Sequence, residues 1–218
     1  MDPVSRETAP AAAERIFGTA LPKAQRYAEL LASAGVIRGL IGPRETGRLW
    51  DRHLLNCAVV AEALPRAADV CDVGSGAGLP GVVWALLRPD LDITLLEPAL
   101  RRSRFLLEIV AELDLGRVAV VRERAEQHAG HMQYAVVSAR AVAPLPKLAQ
   151  LTLPLCRAGG ELWALKGSSA QAELAAAEPA LRALGAPSWR IEHYGAQLLS
   201  TPTTVVRIVA GHPREPRP

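Results

Sequence analysis

A glycine-rich turn, DVGSGAGLPG at residues 72–81, limits the possible folds of this chain more than any other stretch. One apolar run ends where the turn begins and a second follows it, which predicts a strand–turn–helix junction. After Pro65, short apolar runs alternate with helically spaced ones, and this alternation indicates βαβ units. We therefore predict an α/β fold, a Rossmann-like and mostly parallel sheet with helices on both faces.

The two ends of the chain depart from this alternation. Residues 1–64 have helical spacing and predict an N-terminal helical segment packed on the core, residues 65–210 the sheet domain, and residues 211–218 a disordered tail. These parts form one folded unit. The stretch AQAELAAAEPALRALG predicts a helix interrupted at Pro179. The runs WRIEHYG and TTVVRIVAG predict a C-terminal antiparallel hairpin at one edge of the sheet.

Composition restricts the functional classes. A chain of 218 residues suits one α/β domain, and only Lys23, Lys147 and Lys166 among its 25 basic residues are lysines. This excess of arginine permits a nucleic-acid partner without requiring one. The three cysteines are far apart in apolar surroundings, which predicts buried free thiols and no metal site. Since the sequence shows neither a signal peptide nor an apolar run of about 18 residues, we expect a cytoplasmic protein with no membrane contact.

The glycine turn predicts its own ligand. Its pattern is Gly74-x-Gly76-x-Gly78, and Leu79 stands where a dinucleotide fingerprint has its third glycine. Pro80 also lacks an N–H that a diphosphate would use. Asp72 precedes the turn, and Glu97 closes the next strand at the spacing of a ribose-binding acid. Together these residues fit S-adenosylmethionine, which has a cationic reacting centre and a ribose with both hydroxyls free.

Cations follow two later strands and one helix start. Arg140 interrupts an apolar strand end and Lys166 follows another, at the edge where ligands bind such sheets. We predict that Arg140 orients the cofactor and the target base, and that Lys166 grips a phosphate or the base. Three arginines at a helix N-terminus would oppose the helix dipole unless RNA phosphate offset them; a solvated helix face is the alternative. They are Arg101, Arg102 and Arg104.

Six motifs in this order resemble those of the small-subunit ribosomal RNA guanine-N7 methyltransferases, also called the glucose-inhibited division protein B family. They are Arg52-His53-Leu54-Leu55, DVGSGAGLPG, Glu97 with RRSRFL, Arg124-Ala125-Glu126, Ser138 with Arg140 and Ala141, and Leu165-Lys166-Gly167. Asn56 stands where many members have Asp, and Pro98 where Ser is common.

The resemblance implies a class I methyltransferase fold, S-adenosylmethionine as donor, and a guanine in the decoding-region loop of 16S rRNA as target. It implies that Arg52 and His53 line the site, although a hydrogen-bonded interior histidine is the alternative for His53. The rRNA could be free or part of the 30S subunit, and the enzyme is expected to be a monomer. The implied cofactor contacts are Gly74, Leu79, Ala125, Glu126 and Arg140.

The segment SARAVAPL, after the fourth strand, offers neither a nucleophilic thiol nor the N-P-P-Y type sequence that grips an exocyclic amine. Guanine N7 needs neither, because its lone pair is already an in-plane nucleophile, so no general base is expected. Alternatives are a methyltransferase acting on another RNA or a small molecule, a nicotinamide oxidoreductase, and a non-catalytic RNA-binding relative. Leu79 and the terminal hairpin disfavour the oxidoreductase.

Overall fold

The computed structural model describes residues 9–211, so most of the predicted tail, from residue 212 on, and residues 1–8 lie outside the described part. Within the described part the chain forms one seven-stranded sheet. Its strands are β1 (Asp69–Val73), β2 (Asp92–Leu96), β3 (Val118–Val121), β4 (Tyr134–Arg140), β5 (Cys156–Lys166), β6 (Trp189–Tyr194) and β7 (Thr203–Val209).

The strand order across the sheet is β3-β2-β1-β4-β5-β7-β6. Strands β1 to β5 run parallel, whereas β7 is antiparallel to both β5 and β6. The predicted parallel sheet and C-terminal antiparallel hairpin are both confirmed. The chain proceeds from β1 in one direction and returns to β4 on the other side, so a crevice opens at the carboxyl ends of these two strands.

The helices that follow the glycine turn are α4 (Gly81–Leu87), α5 (Leu100–Glu112), α6 (Ala125–His128), α7 (Leu145–Thr152) and α8 (Ala170–Ala183). Helix α8 runs unbroken through Pro179, so the predicted interruption is wrong. A proline removes one backbone hydrogen bond, but the buried Leu174 and Leu181 hold the helix on the core on both sides of it. No helix in residues 9–211 is long and apolar enough to cross a membrane.

The N-terminal segment is helical, as predicted, but its helices are short. They are α1 (Ala11–Phe17), α2 (Leu21–Leu30) and α3 (Leu55–Ala58), with 3-10 or π turns at Gly18–Ala20, Leu31–Gly35, Pro43–Arg48, Trp50–Leu54 and Ala61–Ala63. Their apolar side chains share one core with the sheet face that carries Trp163. The Trp84 indole, beneath that face, donates a hydrogen bond to the Cys57 carbonyl at 2.9 Å. The segment is therefore built into the fold beside the crevice.

Candidate functional site

The glycine turn is fixed from inside by Asp72, the fourth residue of β1. Its side chain is 0% exposed and accepts hydrogen bonds from Ser138 Oγ at 2.9 Å and from the Gly81 N–H at 3.1 Å. Burial raises the pKa of Asp72 to about 6, although the hydrogen bonds and the positive charge of Arg140 act to lower it. This enclosed carboxylate positions the turn, and its contact with the cofactor stays a prediction.

Glu97 reaches the same turn from the end of β2. Its Oε2 accepts the Gly76 N–H at 3.0 Å, and its Oε1 accepts the Ala99 N–H at 2.9 Å. The side chain is only 2% exposed, and Arg102 Nη1 lies 3.8 Å from Oε2. A carboxylate oxygen has two lone pairs, so each keeps one for a ligand hydroxyl. Glu97 is therefore tied to the turn, and its predicted contact with the ribose hydroxyls stays a prediction.

The turn is packed on one side and open on another. Gly74 has φ +66°, and a Cβ built there would lie 2.9 Å from Val142 Cγ2. Gly76 also has a positive φ, but the nearest atom to its added Cβ is 3.7 Å away. A side chain at Gly74 would therefore press on the loop after β4, whereas the space over Gly76 could admit a ligand. The side chain of Leu79 is buried in the core beneath.

The sequence analysis missed Tyr27, which supports the turn from α2. This buried side chain donates a hydrogen bond from Oη to the Ala77 carbonyl at 2.7 Å. Burial raises the pKa of Tyr27 well above its usual value, so the phenol remains a donor. The helical spacing of α2 predicts a buried face but cannot identify a partner 50 residues away.

Arg140, the last residue of β4, meets His53 from the N-terminal segment. Arg140 Nη2 lies 3.0 Å from His53 Nδ1, and His53 Nε2 lies 3.0 Å from Glu45 Oε2. Arg52 Nη1 contacts the other carboxylate oxygen, Glu45 Oε1, at 3.3 Å. The structure therefore brings together Arg52, His53 and Arg140, and that the first two line the site stays a prediction. It adds Glu45, which no periodicity or motif in the sequence marks.

The protonation state of His53 follows from these contacts. Burial lowers its pKa, and the positive charge of Arg140 lowers it further, while the Glu45 carboxylate acts in the opposite direction. A guanidinium has no acceptor, so it must donate to a lone pair on Nδ1, and the ring proton is then assigned to Nε2, facing Glu45. The hydrogen bond from His53 lowers the pKa of Glu45. Both ring nitrogens are thus occupied.

Lys166, which is predicted to grip a phosphate or the base, is paired within the protein. Its side chain is 9% exposed, and Nζ donates to Glu173 Oε2 at 2.7 Å and to the Ala143 carbonyl at 3.1 Å. Glu173, in the first turn of α8, also accepts the Leu145 N–H at 3.3 Å. The ion pair therefore holds the end of the β4–α7 segment that leads into α7. Sequence reasoning could not find this pair, because nothing local connects Lys166 with that carboxylate.

The other predicted site residues lie on elements that begin at the same edge of the sheet. Ala125 is buried and Glu126 exposed at the start of α6, which follows β3. The α5 arginines, Arg101, Arg102 and Arg104, are all exposed. Within residues 9–211, neither Arg101 nor Arg104 forms an ion pair. These two side chains are available to a partner, whereas Arg102 leans toward Glu97.

The three cysteines are buried and free, as predicted. Burial raises the pKa of Cys57 to about 11 and that of Cys156 to about 12, and it raises that of Cys71 well above the usual range. None of them supplies a thiolate nucleophile at neutral pH. Across residues 9–211, no group of three or more His, Cys, Asp or Glu side chains is arranged to hold a metal ion.

Comparison with known proteins supports the family that the sequence motifs indicate. The family described as "rRNA small subunit methyltransferase G" matches residues 20–200. The ribosomal RNA small subunit methyltransferase G of Streptomyces coelicolor is 57% identical over 203 residues, which cover 93% of this chain and 85% of that protein.

Two solved structures share the fold at low identity. A SAM-dependent O-methyltransferase from Thermotoga maritima superposes with a TM-score of 0.53 at 12% identity, over 74% of this chain and 67% of that one. Aeropyrum pernix fibrillarin, solved with natively bound S-adenosyl-L-methionine, gives 0.51 at 15% identity, over 72% and 75%. The likenesses confirm the predicted class I methyltransferase fold.

Proposed function

This chain belongs to the rRNA small subunit methyltransferase G family, and from that premise we propose that it transfers a methyl group from S-adenosylmethionine to N7 of a guanine in the decoding-region loop of 16S rRNA. It acts as a cytoplasmic monomer on rRNA, either free or within the 30S subunit. When bound, the cofactor supplies an electrophilic methyl group on a sulfonium centre.

The site carries the positive charge of Arg140 but no free histidine or cysteine that could act as a base. This observation favours guanine N7 as the methyl acceptor. The His53 ring nitrogens are both engaged, by Arg140 and Glu45, and the three cysteine thiols are buried. An acceptor that must lose a proton would find no free histidine or cysteine here to take it. Guanine N7 attacks with a lone pair and loses no proton, so positioning and electrostatics suffice.

Residues of this chain divide the task of holding the two substrates. Glu97 would accept the ribose hydroxyls, and the open space over Gly76 would receive the cofactor chain beside Gly74. The start of α6, Ala125 and Glu126, would border the adenine. Those assignments follow the family motifs at matching positions and the shared edge of the sheet.

Arg140 would lie between cofactor and base, where its hydrogen bond to neutral His53 leaves its positive charge uncancelled. The exposed Arg101 and Arg104 would contact RNA phosphates beside the site. The chain has too few aromatic residues for a broad base-stacking surface. The target base would therefore be extruded into the crevice. Lys166 would keep the loop after β4 in place through Glu173.

The decisive experiment incubates the protein with labelled S-adenosylmethionine and either naked 16S rRNA or 30S subunits that lack the modification. The product is then mapped to the nucleotide and atom. We expect transfer to N7 of one guanine, and the better of the two substrates identifies the natural one. Transfer to any other atom, or only to a small molecule, would refute the proposal.

Gly74→Val tests the cofactor site separately. The new side chain would press on Val142 and requires a left-handed backbone, so S-adenosylmethionine affinity should fall at least about a hundredfold by calorimetry. Gly116→Val is the matched control, because a Cβ there meets nothing within 4 Å. Equal affinities in the two variants would place the cofactor elsewhere.

A further inference from the structure

The guanidinium of Arg140 is held by side chains from a distant part of the sequence. We propose that Glu45 and His53 form a positioning pair that fixes Arg140 for cofactor and base, and that methyl transfer requires this pair with His53 neutral. The inference rests on the proposed function and deepens it. Glu45 and His53 act through Arg140 and are positioning residues.

The backbone leaves Arg140 in need of such support. Strand β4 ends at Arg140, whose side chain is partly exposed, and the backbone turns away at Ala141 with φ +56°. A free arginine side chain samples many rotamers, and holding one of them has an entropic cost. The 3.0 Å contact to His53 Nδ1 selects one direction, and the 3.0 Å contact from Nε2 to Glu45 fixes the ring that supplies it.

The choice of an imidazole as the contact has a chemical consequence. A carboxylate in the place of His53 would hold Arg140 equally well but would cancel its charge. Neutral imidazole accepts the hydrogen bond without cancelling the charge, and Glu45 lies behind it, on the far ring nitrogen. The guanidinium can therefore be both fixed in direction and available to the polar groups of the cofactor and the guanine.

The arrangement fails when His53 takes up a proton. Protonated Nδ1 has no lone pair to accept from Arg140, and two cations would then face each other 3.0 Å apart. The charged groups facing His53 are Arg140 from β4, Glu45 from the Pro43–Arg48 turn, and Arg52 beside it in sequence. Asp72, beneath the glycine turn, also interacts with Arg140, and burial raises its pKa to about 6.

The test compares pH profiles of kcat/KM for methyl transfer to 16S rRNA or 30S subunits. In His53→Asn, the amide oxygen stands close to the position of Nδ1 and cannot be protonated in this range. We expect this variant to keep activity within about tenfold of wild type. The acid limb of its pH profile, where activity falls as pH is lowered, should lack the contribution of His53 protonation. His53→Ala should lose about tenfold to a hundredfold at neutral pH, the size of one hydrogen bond to a charged group.

Glu45→Gln gives a signed prediction. The Glu45 carboxylate favours the protonated form of His53, so removing its charge should move the acid limb to lower pH. A purely structural role for Glu45 would lower activity at every pH without moving that limb. The matched controls are His193→Asn on β6 and Glu62→Gln at an exposed position of the Ala61–Ala63 turn, and both should keep the wild-type profile.

S-adenosylmethionine affinity, measured by calorimetry over the same pH range, tests the pair without rRNA. As pH is lowered, we expect the affinity for S-adenosylmethionine to fall more steeply in wild type than in His53→Asn. Wild-type protein that methylates no rRNA guanine would refute the proposed function, and the affinity data would still decide on the pair. Profiles and affinities of His53→Asn, His53→Ala and Glu45→Gln that all coincide with wild type would refute the pair. If His53→Ala fails to fold, the Asn and Gln variants decide.

Discussion

Arg140 and Lys166 end neighbouring parallel strands, with Arg140 level with Leu165 in the register, yet their surroundings differ. Arg140 meets a neutral imidazole, whereas Lys166 meets the Glu173 carboxylate. The Arg140 charge consequently acts on several buried groups, since it opposes the burial that raises the pKa values of Asp72, Cys57 and Tyr27. The charge of Lys166 mainly lowers the pKa of its own partner, Glu173.

The difference teaches how one edge of a sheet can use two cations differently. A cation paired with an anion becomes part of the framework, because its field is cancelled nearby. A cation held by a neutral group keeps its field for a ligand. The sequence presents the two residues as equals, since both follow an apolar strand, and only their partners separate them.

The largest expected effect comes from removing the two cations in turn. Arg140→Gln should lower kcat/KM for methyl transfer by about a hundredfold or more, because the uncancelled charge at the reacting centre is lost. Lys166→Met should lower it less than about tenfold, since it loosens a loop but removes no charge from the crevice. Steady-state kinetics on the same rRNA substrate measures both. Equal losses would abolish the distinction between the cations.

The next effect concerns stability and the titration of Asp72. Its pKa of about 6 in the folded protein exceeds its ordinary value of 3.8, so the contribution of Asp72 to the unfolding free energy should fall as pH rises from about 4 to about 6. A shift of this size corresponds to about 3 kcal/mol for this enclosed group. The measurement is denaturant unfolding across this range, and Asp72→Asn should lack the dependence.

The titration of Asp72 should respond to the charge of Arg140 but not to that of Lys166. Arg140→Gln should move the Asp72 window to higher pH, because a charge that lowers its pKa has gone, whereas Lys166→Met should leave it in place. A shift in the Lys166 variant as large as that in the Arg140 variant would mean that the lysine charge also reaches the turn.

A smaller effect is expected from the ion pair of Lys166 with Glu173. In a double-mutant cycle, Lys166→Met and Glu173→Gln should show a coupling of about 1 kcal/mol in unfolding free energy, because the lysine is nearly buried and the carboxylate partly so. Arg182→Met with Glu178→Gln, an exposed pair in the same helix, is the control and should couple by about 0.3 kcal/mol. Additive losses at Lys166 and Glu173 would show that the contact does not clamp the loop.

The smallest effect should come from the exposed arginines of α5, Arg101 and Arg104. Arg101→Gln and Arg104→Gln should each weaken rRNA binding modestly and reduce the slope of log affinity against log salt by about one. Arg182→Gln, an exposed arginine on α8, is the control and should leave the slope unchanged. An unchanged slope in the α5 variants would assign these side chains to a solvated helix face.

Much of the fold could be predicted because its signals are local. The alternating runs predict the parallel sheet and the terminal hairpin, and the glycines with Glu97 predict a cofactor turn that the structure links by a hydrogen bond. Contacts between side chains on different elements could not be predicted. The interruption predicted at Pro179 is wrong, and nothing local in the sequence indicates the pairing of Lys166 with Glu173 or the enclosure of Asp72 beneath the turn.

The sequence by itself determined the order of the strands along the chain, the place of the glycine turn, and the residue types that end β2, β4 and β5. These depend on periodicity and backbone stereochemistry, which act over a few residues. Tertiary structure alone decided which cation keeps its charge for a ligand. That choice depends on contacts such as Arg140 with His53, 87 residues apart, because electrostatic fields follow distance in space and not separation along the chain.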